Sequence, residues 1–459
     1  MSKRTISSRR WLLLPMEIKV REFEPKVLLA CIAAERGFGV LLGRNGFNTT
    51  GSYPQGVYLD KCISPNKLAN FQLQVDGLGN KLASLDVEGL VYQTEEKWLR
   101  VRVSQETIDL SSLIFMWGDE QYGMINGAYA VPEKLKVTGS TTADLWQKRM
   151  HFLYQNRADD ITNRFGEFLL LPSNFSTVIN ANGPDFIVKQ FVKNKFVKNE
   201  EELNLLHESL AFHKRVFDKF VEMIPAVAEN NPGLTVVLRP HPGDDRDVWQ
   251  KLSKKWPENV TVLYEGNISP WILASRVLVH NSCSTAVEAF AMGKPAIAYM
   301  PHEDVRFDQN IPNPLSQQAR SIDGVLQLIE ANLRQDGLGH DSQKTALFNH
   351  FIKNKDDEFA GERIVNALEG LELPKSEFTF TRHGTLQKMR IVARKARRRF
   401  RDFRGQNEFS YAYRMQKNPG VSLEEVNNLL DLYRKNLGMW QDIQVEQVEE
   451  DAFCFYKES

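Results

Sequence analysis

Cysteine is scarce in this chain, with four in 459 residues. Cys31, Cys62, Cys283 and Cys454 fit neither a zinc-ligand spacing nor a disulfide framework, and few, scattered thiols suit a reducing compartment. Long apolar runs are also missing. No stretch reaches the roughly 18 apolar residues of a spanning helix. The run Trp11–Pro15 is too short for a secretory core and leads straight into the charged stretch Glu17–Glu24, so Arg10–Leu14 predicts a first buried strand. The expected place of work is the cytoplasm or the inner face of the plasma membrane. An excess of either charge is absent too: Lys and Arg total 58, and so do Asp and Glu. A chain without a basic excess has nothing to drive nucleic-acid binding. Internal repeats and low-complexity tracts are not found.

What is present is apolar material for two cores, at 42% hydrophobic residues, in a length that predicts two domains plus extras. The pattern alternates. Helical spacing over Pro25–Arg36 is stopped by Gly37. Strand-like segments follow at Val40–Leu42, Ser84–Leu85, Leu90–Val91 and Ile114–Trp117, and Val131–Val137 leads to another. A charged helix over Asp144–Arg164 closes this part. Phe168–Pro172 opens a second series. Helices are expected at Glu201–Ala228, Ile268–Ala274, Ser284–Met292 and Ile322–Leu333. Strands are expected at Thr235–Leu238, Val260–Leu263, Val277–Val279 and Ala296–Tyr299. Unbroken apolar strands alternating with helices predict parallel sheets covered on both faces, an α/β class. The expected division is 1–165, 166–375 and a tail at 376–459, basic at first (Lys388–Arg404) and acidic later (Leu423–Glu458), read as helical.

Three strings carry chemistry. In His280-Asn-Ser-Cys-Ser-Thr-Ala-Val-Glu-Ala-Phe-Ala-Met-Gly-Lys-Pro295, a strand ends, a loop of small hydroxyl residues follows, and a helix begins. Such loops are where α/β sheets bind ligands. The helix N-terminus would offer N–H groups to a phosphate, Ser282, Ser284 and Thr285 would add hydroxyls, and Glu288 would take ribose hydroxyls. The same string also fits a helix for which Ser284 is only the N-cap. In Arg239-Pro-His-Pro242, two prolines stiffen the turn after a buried strand, which sets Arg239 and His241 at the ligand edge of the sheet. In Asp86-Val-Glu-Gly89, an extended backbone would put both acids on one face, where one would serve as a general base. Taken by itself, that string fits a solvated acidic turn better.

Taken in order, Asp86…Glu88-Gly89, His241-Pro242 and Ser284-Thr285 resemble the acidic-acidic-glycine, His-Pro and Ser-Ser/Thr motifs of bacterial transferases that use CMP-activated acidic sugars. Val87 between the acids and Cys283 in the serine loop depart from that pattern. The chain more closely resembles the surface carbohydrate biosynthesis proteins, which are related to capsule-building Kdo transferases and to CDP-glycerol glycerophosphotransferases. The residues that carry this are Pro15…Lys19-Val-Arg-Glu-Phe23, Ala33-Ala-Glu-Arg-Gly37, Leu85–Gly89, Val137-Thr-Gly139, Leu171-Pro-Ser-Asn174, Arg239–Pro242 and the 280–295 string, over about residues 11–335 of the sequence.

The resemblance implies a GT-B fold, with two Rossmann-like doubly wound domains facing a cleft, the second for the donor and the first for the acceptor. It implies that Arg239, His241, Ser282, Ser284, Thr285, Glu288, Asn174 and Ser173 bind the donor nucleotide, and that Glu88, with or without Asp86, acts on the acceptor. Arg21 would hold an anionic acceptor or the donor carboxylate, or else form a surface ion pair. No metal or other cofactor is required, since no Asp-X-Asp signature is counted near these positions. The implied activity is transfer of Kdo or a nonulosonic acid to a glycan or lipid-linked acceptor. Lys388–Arg404 is a candidate contact for anionic lipid. Three other readings stay open: a CDP-glycerol or CDP-ribitol transferase, a UDP-sugar 2-epimerase, and a non-catalytic scaffold. Against the epimerase stands Asn281-Ser-Cys-Ser, where such enzymes carry Asp-Ser-Gly-Gly.

Overall fold

A computed structural model describes residues 3–49, 53–183, 185–193, 196–334, 339, 341–353, 357–381 and 418–458. The basic stretch Lys388–Arg404 lies outside the described residues. The strands are, in chain order, β1 (Lys3–Arg9), β2 (Trp11–Met16), β3 (Gly39–Arg44), β4 (Val57–Asp60), β5 (Lys81–Leu85), β6 (Leu113–Met116), β7 (Leu135–Val137), β8 (Phe168–Pro172), β9 (Thr235–Arg239), β10 (Val260–Val262), β11 (Val277–His280), β12 (Ala296–Tyr299), β13 (Gln317–Ala319), β14 (Ser376–Thr381), β15 (Ile443–Glu449) and β16 (Ala452–Lys457). They form two Rossmann-like α/β units. The first comprises Met1–Val87, Arg102–Leu145 and Phe351–Ser459, and the second Glu88–Val101 and Trp146–His350.

This division differs from the expected boundaries at 165 and 375, because the chain crosses between the units four times. The segment after Val87 belongs with the second unit: Tyr92 N–H donates to Asn310 Oδ1 (3.1 Å), and Arg100 pairs with Glu202 at 2.6 Å. Leu90–Val91, expected as a strand, is a turn and irregular chain there. The expected helix Asp144–Arg164 is broken into Thr141–Asp144, a short 3-10 turn and Phe152–Phe165. The broken ends mark the passage from one unit to the other.

In the first unit, β2 to β7 are parallel and their order is β3-β2-β4-β5-β6-β7. Beyond β3 the sheet continues with β16, antiparallel, and then β15. The C-terminal segment is therefore not a helical tail. It contains a helix, Leu423–Leu437, and a hairpin that extends the first sheet. The hairpin is held by apolar burial, with Phe453, Cys454 and Phe455 at most 1% exposed. The first long helix runs from Lys19 to Glu35 rather than starting at Pro25. Its first turn has no apolar periodicity but is closed by Glu22, whose carboxylate accepts from the N–H groups of Glu17 and Ile18 and pairs with Lys26. A two-stranded ribbon, β1 with β14, completes the unit, and Trp11 donates its indole N–H to Ser376 O at 2.8 Å. At Gly139 the backbone has φ +78°, and a Cβ would stand 2.2 Å from the Lys353 carbonyl, which leaves only glycine for that position.

The second unit is a six-stranded, wholly parallel sheet in the order β10-β9-β8-β11-β12-β13. Numbered within the unit, this is 3-2-1-4-5-6, the doubly wound order of dinucleotide-binding folds. Its four central strands, β9, β8, β11 and β12, are buried on both faces. One face packs against helix Glu200–Asn230 through Phe217, Phe220, Phe175 and Trp249, with ring centroids 5.1–5.5 Å apart where Phe175 meets Phe217 and Phe220 and where Phe217 meets Trp249.

Candidate active site

In a 3-2-1-4-5-6 sheet, strand 1 sends its connection to one side and strand 4 lies on the other. The crevice at their carboxyl ends is where such sheets take ligands. Here those strands are β8 and β11, so the crevice lies between Ser173-Asn174 and the loop 281–285. The structure joins these two segments directly: Asn174 Nδ2 donates to Ser282 O at 3.1 Å. Ser282 holds a left-handed backbone, φ +46°, which costs a non-glycine residue about 1–3 kcal/mol. The bond from Asn174 and another from Asn313 Nδ2 to Ser282 Oγ (2.9 Å) hold it there. At about 0.5–1.5 kcal/mol each, they offset a cost of that size.

His280, at the end of β11, is fully buried, and burial pulls its imidazole down to about 3. The ring is neutral and bonded at both nitrogens. Cys283 N–H donates to Nδ1 (3.2 Å), so the ring proton sits on Nε2 and goes to Ser316 Oγ (2.8 Å), whose own proton reaches Pro312 O. His280 thus shapes the loop and does not exchange protons. Cys283 is buried, and that burial raises its thiol.

Ser173 and His241 meet on Asp244. The Ser173 hydroxyl, the Trp249 indole N–H (3.0 Å) and the His241 backbone N–H (3.3 Å) all donate to Asp244 Oδ2. Burial raises Asp244, and the same hydrogen bonds oppose that rise. Gly243 N–H donates to His241 Nδ1 at 3.1 Å, so the neutral ring carries its proton on Nε2 as a donor. The sequence reading passed over Asp244 because Pro-Gly-Asp-Asp has the look of an exposed turn, yet it is 1% exposed. The Asn313 amide was missed as well, and no sequence signal marks it. An Asp-X-Asp string does stand beside His241, contrary to expectation, at Asp245-Arg246-Asp247; the Asp245 carboxylate accepts from Asp247 N–H and caps the helix Arg246–Ser253.

Several expectations are corrected. Ser284 is the N-cap residue of helix Thr285–Ala291, but its side chain makes no capping bond, and the residue is exposed. The N–H groups of Ala286 and Val287 are turned back onto Cys283 O and Ser284 O, each at 3.0 Å. The helix N-terminus therefore offers a phosphate fewer N–H groups than expected, and the hydroxyls of Ser284 and Thr285 matter more. Arg239 is buried, stacks on Trp271 at 4.9 Å and donates to the carbonyls of Gly266 and Asn267. Burial pulls its guanidinium down to about 10. It braces the loop after β10 rather than standing at the ligand edge. Glu288 is 9% exposed and accepts from the Ser269 hydroxyl, which ties it to that same loop.

The acidic pair separates. β5 ends at Leu85, so Asp86 and Glu88 do not share a strand face. Both Asp86 oxygens accept from the Arg102 guanidinium, one of them at 2.8 Å from Nε. That commits Asp86 to a structural ion pair and disqualifies it as the base. Glu88 is exposed in the turn, in the second unit. Arg21 is exposed near the start of helix Lys19–Glu35, in the first unit. The structure thus places Ser173, Asn174, His241 and the loop of Ser282, Ser284 and Thr285 after the carboxyl ends of β8, β9 and β11, joined by the Asn174–Ser282 bond, and ties Arg239 and Glu288 to the segment Gly266–Ser269.

No protein-family model and no curated protein match the sequence. Solved structures are similar to the chain at low identity. A UDP-GlcNAc 2-epimerase from Methanocaldococcus jannaschii, in complex with UDP-GlcNAc and UDP, is 13% identical over 78% of this chain and 99% of its own, with a TM-score of 0.46. A UDP-GlcNAc 2-epimerase from Neisseria meningitidis bound to UDP-GlcNAc is 10% identical over 78% and 99%, with a TM-score of 0.46. HepE of Anabaena, in complex with UDP and glucose, is 13% identical over 79% and 100%, with a TM-score of 0.42. Likeness at this level says nothing about activity, and the fold description rests on the strand orders above.

Proposed function

We propose that this chain is a glycosyltransferase of surface polysaccharide biosynthesis, of capsule or lipopolysaccharide, and that its second unit binds a nucleotide-activated sugar. The observation that carries the reading is the Asn174–Ser282 bond across the switch point of a 3-2-1-4-5-6 sheet. It builds one polar crevice where such sheets take nucleotides. The sequence motifs favour a CMP-activated acidic sugar as donor and a glycan or glycolipid as acceptor. In that reaction the acceptor oxygen bonds the anomeric carbon while the bond from that carbon to the phosphate oxygen breaks. The acceptor proton passes to Glu88, and the nucleotide leaves with the electron pair. The Nε2–H of His241 and the hydroxyls of Ser284 and Thr285 neutralise the charge that develops on the phosphate. Arg21 is the proposed contact for an anionic acceptor group. No helix among the described residues is long and apolar enough to cross a membrane. If the acceptor is lipid-linked, the chain meets it from the surface.

Thermal-shift binding of CMP, CDP, UMP and UDP tests the reading. A ligand that binds only the folded state stabilises it by about 2.7 kcal/mol at a hundred times its Kd. Cytidine nucleotides are expected to raise the unfolding temperature, with CMP ahead of CDP. Ser284→Ala should reduce that rise without changing the ligand-free value, because the hydroxyl caps nothing. Selective stabilisation by UMP and UDP would overturn the cytidylyl donor and bring the UDP-sugar epimerase reading forward.

A further inference from the structure

Within the second unit, the short segment Asn310–Asn313 touches two places that are far apart in sequence. At its start, Asn310 clasps the chain just after Glu88-Gly89. Its Oδ1 accepts from Tyr92 N–H (3.1 Å), its backbone N–H donates to Tyr92 O (3.0 Å), and its Nδ2 donates to Leu90 O (3.4 Å). Gln93 Nε2 adds a bond to Phe307 O at 3.2 Å. The turn itself is closed by Trp98, whose indole N–H donates to Gly89 O at 2.7 Å. At the other end of the segment, Asn313 Nδ2 donates to Ser282 Oγ at 2.9 Å. The chain between is stiff. Ile311 is fully buried, and Pro312 and Pro314 fix their own φ angles on either side of Asn313. Pro312 O accepts from Ser316 Oγ, which is bonded in turn to His280 at the end of β11. Three residues span at most about 11 Å, so the attachment of the Glu88 turn and that of the Ser282 loop are neighbours.

We propose that Asn310 and Asn313 are positioning residues, which lock the turn carrying Glu88 to the loop carrying Ser282 and so hold the base at a fixed distance from the donor phosphate. This rests on the reading of Glu88 as the base. A general base works only within hydrogen-bond reach of its proton, and a displacement of about 1 Å can cost about 100-fold in rate. Glu88 is exposed in its turn, so packing of its own side chain does not set that distance. The bonds of Asn310 set the backbone that follows it. An asparagine suits this task because one amide both accepts and donates, which matches the N–H of Tyr92 and the carbonyl of Leu90 together. Glu88 thereby belongs to the donor-binding unit, although β5 before it and β6 after it belong to the first.

Amide hydrogen exchange of the full chain, without ligand, tests the lock. Asn313→Ala removes a bond at the Ser282 loop, yet Tyr92 N–H, which Asn313 does not touch, is expected to exchange about 5-fold faster. Asn310→Ala should in turn speed Cys283 N–H by a similar factor. Asn310→Asp keeps an acceptor for Tyr92 N–H and should restore the slow exchange at both places. Amides of β9 lie outside the network and should keep their native rates, which separates a lost lock from general unfolding. If each alanine variant speeds only its own segment, the two are not coupled and the proposal is wrong. Turnover of CMP-activated Kdo separates positioning from binding. Asn310→Ala should lower kcat by up to about 100-fold at unchanged KM, and Glu88→Gln should lower it at least as far. A raised KM at unchanged kcat in Asn310→Ala would make Asn310 a binding residue and overturn the positioning role. Full activity of Glu88→Gln with the exchange coupling intact would instead remove Glu88 as the base. Without turnover by the native chain the donor reading fails, and the exchange coupling alone decides whether the two segments are locked.

Discussion

His280 ends a strand just before a serine-rich loop. Its burial and its two bonded nitrogens make it a structural spacer. That placement has a pH consequence with a definite sign. The folded pKa of about 3 lies below the ordinary 6.5, so the unfolded state takes up a proton that the folded state refuses. Stability is present in full above about pH 6.5 and falls as pH drops toward 3, at up to about 1.4 kcal/mol per pH unit. His151 and His213 are also lowered by burial and act in the same direction. Urea unfolding of the native chain and of His280→Gln, from pH 7 to pH 5, separates the contribution. The variant should start less stable and lose about one proton's worth less slope. Other residues show what pattern reading reaches. What was legible is placement: Ser173, Asn174 and His241 follow strand ends, and Ser284 and Thr285 stand where the loop after β11 enters a helix. Asp244 was not, since burial of a turn acid depends on Ser173, 71 residues earlier, and on the inward turn of Trp249 in the helix that follows. Asp86 was not read as an ion-pair member because its partner Arg102 is 16 residues on, at the end of the helix Glu95–Arg102.

At the scale of elements, five of the six parallel strands of the second unit were readable almost to the residue. A strand buried on both faces is an unbroken apolar run, and FLLLP, TVVL and AIAY are such runs. β13 escaped because Gln317-Gln-Ala319 carries no apolar run, and strands of the first unit escaped for other reasons. β16 reads AFCFYK in an acidic stretch and pairs with β3 only through tertiary context. β4 is four residues long and follows a loop without periodicity. The pairing of β16 with β3 makes a quantitative expectation. Phe455 is fully buried, and truncating such a ring costs about 3–5 kcal/mol. Phe455→Ala should lower the unfolding free energy measured in urea by that amount. A cost below about 1 kcal/mol, as at surface positions, would mean that the hairpin is not part of the first unit's core.

For the whole molecule, neither unit is one contiguous stretch. A fragment of residues 1–165 lacks β14, β15 and β16, as well as the helix Ala360–Glu369, whose first N–H groups donate to Asp144 at 2.8 and 3.1 Å. Residues 146–350 contain all six strands of the second sheet. Circular dichroism with urea should show a cooperative transition for 146–350 and none for 1–165; a cooperative 1–165 would refute the division. The antiparallel closure of β3 by β16 also bears on how the protein is made. Roughly 400 residues separate the two strands, so at about 5–20 residues per second the ribosome needs some 20–80 s between them. Throughout that interval the first sheet has an open apolar edge while the later-made second sheet is already complete. Until β16 is made, β3 presents an unpaired strand edge of the kind that invites misassembly.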